Sequence, residues 1–178
     1  MVDLLRISPR LDRDAHLCRA IVETPQNSRH KFDYHRPTGL FEVAAVLPAG
    51  LAFPLSFGFV PGTLGGDGDP LDVLILADEP LPVGALVWVR LLGVIESEQT
   101  EDGKAVRNDR LIAKVDESHS WSDVTEIGQL GDGFTKNLGR FFETYNGLRG
   151  RKFEIIGCRG PDMATALIKR GKADSTDH

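Results

Sequence analysis

The stretch DGDPLDVLIL, residues 67–76, concentrates acidic chemistry: Asp67, Asp69 and Asp72 fall within six residues. Asp-Gly-Asp-Pro alone is good turn sequence, since Asp and Gly suit turns and Pro presets φ. Asp72 changes that reading. On a strand it shares one face with Leu74 and Leu76, while Leu71, Val73 and Ile75 take the other. A carboxylate heading so apolar a strand is expected to be at least half-buried, and burying it unpaired is costly. Three converging carboxylates also raise one another's pKa unless positive charge sits among them. A hard divalent cation meets both demands. Magnesium in particular takes only one or two protein carboxylates and keeps waters and substrate phosphates as its other ligands.

Competing devices are excluded by position. With Asp67 as position 1 of an EF-hand loop, position 6 would be Asp72, where glycine is required. No GxxxxGK[ST] occurs, because Gly103-Lys104 and Gly171-Lys172 are each followed by alanine. PGTLGGDGDP does not fit GxGxxG and leads into a strand. HExxH and GxSxG are absent, and His16, His30, His35 and His119 show no ligand spacing.

The elements that must position these acids read as short strands with turn punctuation. Strands are expected at Arg19–Glu23, His30–His35, Leu40–Leu47, Leu71–Leu76, Leu86–Ile95 and Leu111–Val115. Leu71–Leu76 is apolar on both faces and therefore central. Leu138, Phe141, Phe142, Tyr145 and Leu148 recur at helical steps, with Gly150 as the stop, and a second helix fits Asp162–Arg170. Strands first and helices after predict an α+β fold, mainly β, with a small barrel or sandwich. Phe57-Gly58-Phe59 reads as structural, Gly58 allowing close backbone approach. Trp88 and Trp121 read as core or interface residues.

The 178 residues are expected to form one domain over 1–172, with a disordered tail at 173–178. A net charge of −5 weighs against nucleic-acid or membrane-surface partners. Cys18 and Cys158 fit neither a zinc site nor a disulfide framework. With no signal-like apolar core at the start and no run of membrane-spanning length, the expected location is the cytoplasm.

FPLSFGFVPGTLGGDGDPLDVLIL resembles the core of soluble family I inorganic pyrophosphatases, whose hallmark is an Asp-x-Asp-Pro-x-Asp box, here DGDPLD, behind an aromatic-Gly-aromatic strand. VETP, RHKFD, GVIESEQTEDGKAVRNDRLIAKV and RFFETYNGLRG extend the resemblance from about Arg19 to Phe153. It implies a five-stranded OB-type barrel flanked by helices and magnesium-dependent hydrolysis of pyrophosphate to two phosphates. It implies that Asp67 and Asp72 hold a metal, with Asp72 placed to bridge to a second. Asp69, counted with these acids, would be the general base on a metal-bridged water. Lys31, Arg110 and Tyr145 would grip phosphate, and Glu23 and Asp33 would hold metal-bound waters. In the later loop the acids are Glu101 or Asp102, and Asp109 or Asn108. A homo-oligomer, a hexamer in many bacterial members, is also implied.

Four positions depart from that pattern. The family's strand arginine falls at Ala44-Ala45, the lysine after the helical tyrosine is Asn146, and Phe53 and Phe57 lack the usual hydroxyls. Arg149, one turn after Tyr145, would replace a lost cation, and Arg36 and Arg107 are further candidates. Two alternatives therefore stand beside pyrophosphate hydrolysis: a same-fold hydrolase of organic or nucleoside pyrophosphates, and a catalytically weakened OB-type binding protein.

Overall fold

A computed structural model describes residues 3–171. The elements run β1 (Leu17–Thr24), β2 (His30–His35), β3 (Leu40–Val46), β4 (Ser56–Phe59), β5 (Asp72–Leu76), β6 (Leu86–Glu101), β7 (Lys104–Arg107), β8 (Arg110–Val115), α1 (Asp132–Gly147), β9 (Lys152–Arg159) and α2 (Pro161–Arg170). Short 3-10 turns cover Leu4–Arg6 and Ile127–Leu130. The tail expected to be disordered lies outside the described residues.

Five strands close on themselves. β1 pairs β4, β4 pairs β5, β5 pairs β8, β8 pairs β6, and β6 returns to β1. This is the OB-like barrel anticipated above. All of its pairings are antiparallel except β5–β8, which is parallel and sets Asp72 opposite Arg110. β2 and β3 form a separate two-stranded ribbon.

Apolar side chains on both faces of β5 fill two cores. Leu74, Leu76 and Ile112 pack with Phe53, Phe57, Phe141, Phe142, Tyr145 and Phe153 beneath α1. Val73, Ile75, Leu111 and Ala113 pack with Val22, Val89, Leu91 and the α2 residues Ala164 and Ile168. Asp72 shares the face of Leu74, so it heads the aromatic side, where α1 ends.

Several expectations needed correction. β6 runs on to Glu101, pairing there with the unanticipated β7 and, on its other edge, with β9. β9 follows α1, so strands and helices are not cleanly separated along the chain. The spacing placed Leu148 on the buried helix face, but it caps the C-terminus and is 58% exposed. Trp88 is 44% exposed beside Arg19, whereas Trp121 packs on the aromatic core. Both cysteines are free, and burial pushes Cys18 up to about 12.

Gly58 lies where β4 crosses close to β1. A Cβ there would meet the Ile21 carbonyl oxygen at 2.0 Å and the Val22 Cα at 3.0 Å. Gly58→Ala is expected to destabilise the fold by about 3 kcal/mol or more in urea unfolding. A loss under about 1 kcal/mol would contradict this close approach.

Candidate functional site

The turn before β5 is built by its own side chains. Asp67 accepts from the Asp69 N–H at 3.1 Å, and the Gly65 N–H donates to the Asp69 carbonyl at 2.6 Å. Gly68 takes φ +91, open to glycine without strain. Behind the turn, the buried Thr63 hydroxyl donates to the Val60 carbonyl at 2.6 Å and accepts from the Leu71 N–H at 3.0 Å. This clasp fixes where the turn passes into the strand, and so where Asp72 emerges.

Asp67 and Asp72 line a cleft whose opposite wall is Arg107, Asn108 and Asp109. Arg110 is buried, with its Nε 4.0 Å from Asp72 and its guanidinium 4.2 Å from the Phe142 ring centroid. Its Nη1 donates to the Ser97 hydroxyl and the Asn108 carbonyl, while Nε has no hydrogen-bond partner. Burial pushes Asp72 up to about 6 against the pull of Arg110, and burial likewise lowers Arg110. Each partner pays a desolvation cost that the other only partly offsets.

Glu23 and Lys31 enter from β1 and β2. Burial pushes Glu23 up to about 7, although its carboxylate accepts from the Tyr34 N–H at 2.8 Å. Lys31 pairs with Asp33 and lies 5.8 Å from the Phe57 ring centroid. Partial burial and the neighbouring Asp67 raise Asp69. Tyr145 on α1 is held by Phe53 and Phe141 at 5.8 and 6.0 Å between ring centroids. Its buried hydroxyl has no hydrogen-bond partner, and the exposed Arg149 lies 5.0 Å over its ring.

Electrostatic coupling joins the set. Asp72 senses Arg110, Lys31, Asp67 and Asp69; Glu23 senses Lys31, Asp33 and Asp72; Tyr145 senses Lys31, Arg149, Asp33 and Arg110. The fold thus brings together Glu23, Lys31, Asp33, Asp67, Asp69, Asp72, Arg110, Tyr145 and Arg149. Asp109 also reaches this set, through Arg110. Asp102, however, forms the β6–β7 hairpin turn with Gly103, both at positive φ (51° and 76°). Glu101 closes β6 opposite Lys104. Of the two alternatives 108 and 109, both line the cleft, but only Asp109 carries charge.

The departures have clear structural outcomes. Ala44 is skipped at a bulge, with Lys31 facing Ala45 and Phe32 facing Val43. Asn146 is buried, donates to the Phe142 carbonyl at 2.8 Å and accepts from Gln99 at 2.7 Å; Gln99 in turn accepts from Asn108 at 2.9 Å. Sequence reasoning missed Gln99 and Glu96, because only the pairing of β6 with β7 and β8 brings them to this wall. Arg36 pairs with Asp3 at 2.9 Å instead.

The donor set fits a hard divalent cation. It is all carboxylate oxygen, and two of its acids, Asp72 and Glu23, are held near neutrality by burial, a cost that bound positive charge removes. Among the described residues no three acids close around one point. Asp67 and Asp72 supply two carboxylates to the cleft, and an ion held by them would complete its shell with water and phosphate oxygens.

Residues 20–175 match the family profile described as inorganic pyrophosphatase. The inorganic pyrophosphatase of Thermus thermophilus is 33% identical over 169 residues, covering 95% of this chain and 94% of that protein. That of Helicobacter pylori is 32% identical over 165 residues, covering 90% and 92%. The crystal structure of the Thermus thermophilus inorganic pyrophosphatase superposes with a TM-score of 0.88 at 28% identity, over 99% of this chain and 100% of that one. The Neisseria gonorrhoeae inorganic pyrophosphatase gives 0.82 at 26% identity, over 93% and 94%.

The raised carboxyls give a signed pH dependence. A carboxyl whose folded-state pKa exceeds its unfolded value stabilises the fold below the unfolded pKa, and loses that contribution as pH rises through the folded value. With Asp72 at about 6 and Glu23 at about 7, and unfolded values of about 4, the metal-free protein should lose thermal stability from about pH 4 to pH 8. Mg2+ should therefore raise Tm more at about pH 8 than at pH 5. An equal rise at both pH values in a chelator-controlled melt would contradict the site's electrostatics.

Proposed function

The chain belongs to the inorganic pyrophosphatase family, and from that membership we propose that this cleft hydrolyses inorganic pyrophosphate to two orthophosphates with magnesium. The observation that carries the assignment of residues is the pair of buried, unpartnered donors, Arg110 Nε and Tyr145 Oη, on the side of the fold that Asp72 heads. Buried donors without partners are costly, and phosphate oxygens satisfy them.

Asp67 and Asp72 would hold the metal, with Glu23, Asp33 and Asp109 supporting its waters. A divalent ion bound there neutralises phosphate oxygens and lowers the pKa of water. Asp69 is exposed on the turn between Asp67 and Asp72 and would take the proton of the attacking water. Partial burial and Asp67 raise its pKa, which strengthens it as a base. Lys31, Arg110 and Tyr145 bind the phosphoryl oxygens and stabilise the charge that develops on the departing phosphate. Arg149, stacked on Tyr145, supplies a cation at the helix end where Asn146 is neutral. Asp102 sits in the β6–β7 hairpin turn, and no role is proposed for it or for Glu101. No observation favours an organic pyrophosphate or a purely binding role.

No helix among the described residues is long and apolar enough to cross a membrane. A cytoplasmic location and a homo-oligomer, a hexamer by family resemblance, complete the proposal, and light scattering of the purified chain measures the latter.

The test is phosphate release from pyrophosphate with Mg2+. Asp69→Asn should lower kcat by about 100- to 10,000-fold with KM little changed. Release surviving that change would remove Asp69 as the base, and no release by the parent protein would sink the proposed function. Arg149→Ala should raise KM by about tenfold or more with kcat nearly unchanged; an unchanged KM removes Arg149 from the site.

A further inference from the structure

The cleft wall opposite the aspartates has an unusual charge make-up. Asn108 is neutral and tied through Gln99 to Asn146, so this part of the wall presents amides. Asp109 is committed twice, accepting from the Ser97 N–H at 3.1 Å and from Arg107 Nε at 2.5 Å. Arg107 reaches further, placing Nη2 2.9 Å from Glu96, which also pairs with Arg159 at 3.2 Å. Glu96 and Asp109 are largely buried, at 17% and 14% side-chain exposure, whereas Arg107 is 45% exposed and lines the cleft beside Asp67 and Asp72.

These contacts have a direction. Two half-buried carboxylates hold the Nε and Nη2 edges of one guanidinium, while Nη1 bonds nothing among the described residues. A planar guanidinium gripped on two edges has little rotamer freedom left to lose, so its open edge is pre-organised for a further oxygen acceptor. Arg159 shares the charge of Glu96, so the cluster of two arginines and two carboxylates is balanced and does not repel an anion. Far from Arg107 in sequence, the positions where the resemblance expects cations hold Ala44-Ala45 and Asn146 instead.

Resting on the pyrophosphatase reading, we infer that Arg107 is a further substrate-binding residue, gripping phosphate oxygens from the β7–β8 wall. With Arg149 on the helix side, it makes up the two cations missing from the strand and the helix. The wall that the resemblance assigns to metal-holding acids thereby becomes in this chain mainly an anion-binding wall.

The test uses the full-length protein loaded with Mg2+. Arg107→Gln should raise KM for pyrophosphate by about tenfold or more and weaken calorimetric binding of inorganic phosphate by a similar factor. Mn2+ binding should change less than about threefold, since Asp109 keeps its Ser97 N–H and Glu96 keeps Arg159. Arg107→Lys, which keeps the charge without the fork, should recover part of the phosphate affinity. Unchanged KM and phosphate affinity in Arg107→Gln would overturn the assignment, leaving Arg107 as a tie between Glu96 and Asp109. A parallel loss of Mn2+ affinity would also overturn it, because Arg107 would then act by placing Asp109. If the parent protein released no phosphate from pyrophosphate, the enzyme reading would fail, while the phosphate titration would still decide whether Arg107 binds this anion.

Discussion

Everything at this cleft depends on the pairing of Asp72 with Arg110. It exists because β5 and β8, alone among the barrel pairings, run parallel, and their register sets the two residues side by side. Beneath them the next three residues of each strand are apolar, Val73–Ile75 and Leu111–Ala113, so both charges sit at the rim of a dry layer. Phe142 and Phe153 pack against the guanidinium, at 4.2 and 5.0 Å, and exclude water from it. A buried ion pair recovers its desolvation only with good geometry and satisfied remaining donors. Here the approach is 4.0 Å and Nε is unpartnered, so the pair is incomplete by itself. Incompleteness of this kind is tolerable where a ligand finishes the set.

The rest of the fold holds that unfinished pair in place. The Thr63 clasp fixes the entry of β5, and Gly58 lets β4 press against β1 so that the barrel closes behind it. Two aromatic rings, Phe53 and Phe141, pack on the aromatic body of Tyr145, within a cluster that also holds Phe57 and Phe142. They position its hydroxyl without offering it an acceptor. Apolar packing thus sets the placement of the polar atoms, and the absence of the Phe53 and Phe57 hydroxyls leaves Tyr145 without a competing internal partner from those rings.

What could be read from residue order followed from local periodicity. Asp72 beside Leu74 and Leu76 announced a half-buried carboxylate, and the three- and four-residue steps of Leu138, Phe141, Phe142 and Tyr145 announced the helix face. What could not be read depends on contacts distant in the chain. β7 is four exposed residues with no alternation to mark it, and β9 alternates only weakly after a helix. The wall made of Glu96, Gln99 and Arg107–Asp109 exists only because a long β6 carries both neighbours. The Ala44 bulge is equally silent in sequence, since an inserted residue breaks the period it would be judged by. Leu148 misled because the helix ended before the periodicity did.

Charge in such a site belongs to the cleft more than to any one position. A phosphate oxygen senses donors within hydrogen-bond reach, whatever strand delivers them. Removing a lysine from the helix leaves a buried polar position that must be satisfied, and here Asn146 is satisfied by Gln99, which in turn holds Asn108. A carboxylate at 108 would have to be buried against neutral amides, so loss of the helix cation and a neutral residue at 108 are mutually consistent. Once that corner is neutral, an arginine anchored by Glu96 and Asp109 can face the opening without being drawn into it. The same electrostatic balance can therefore be reached with its cations on different walls.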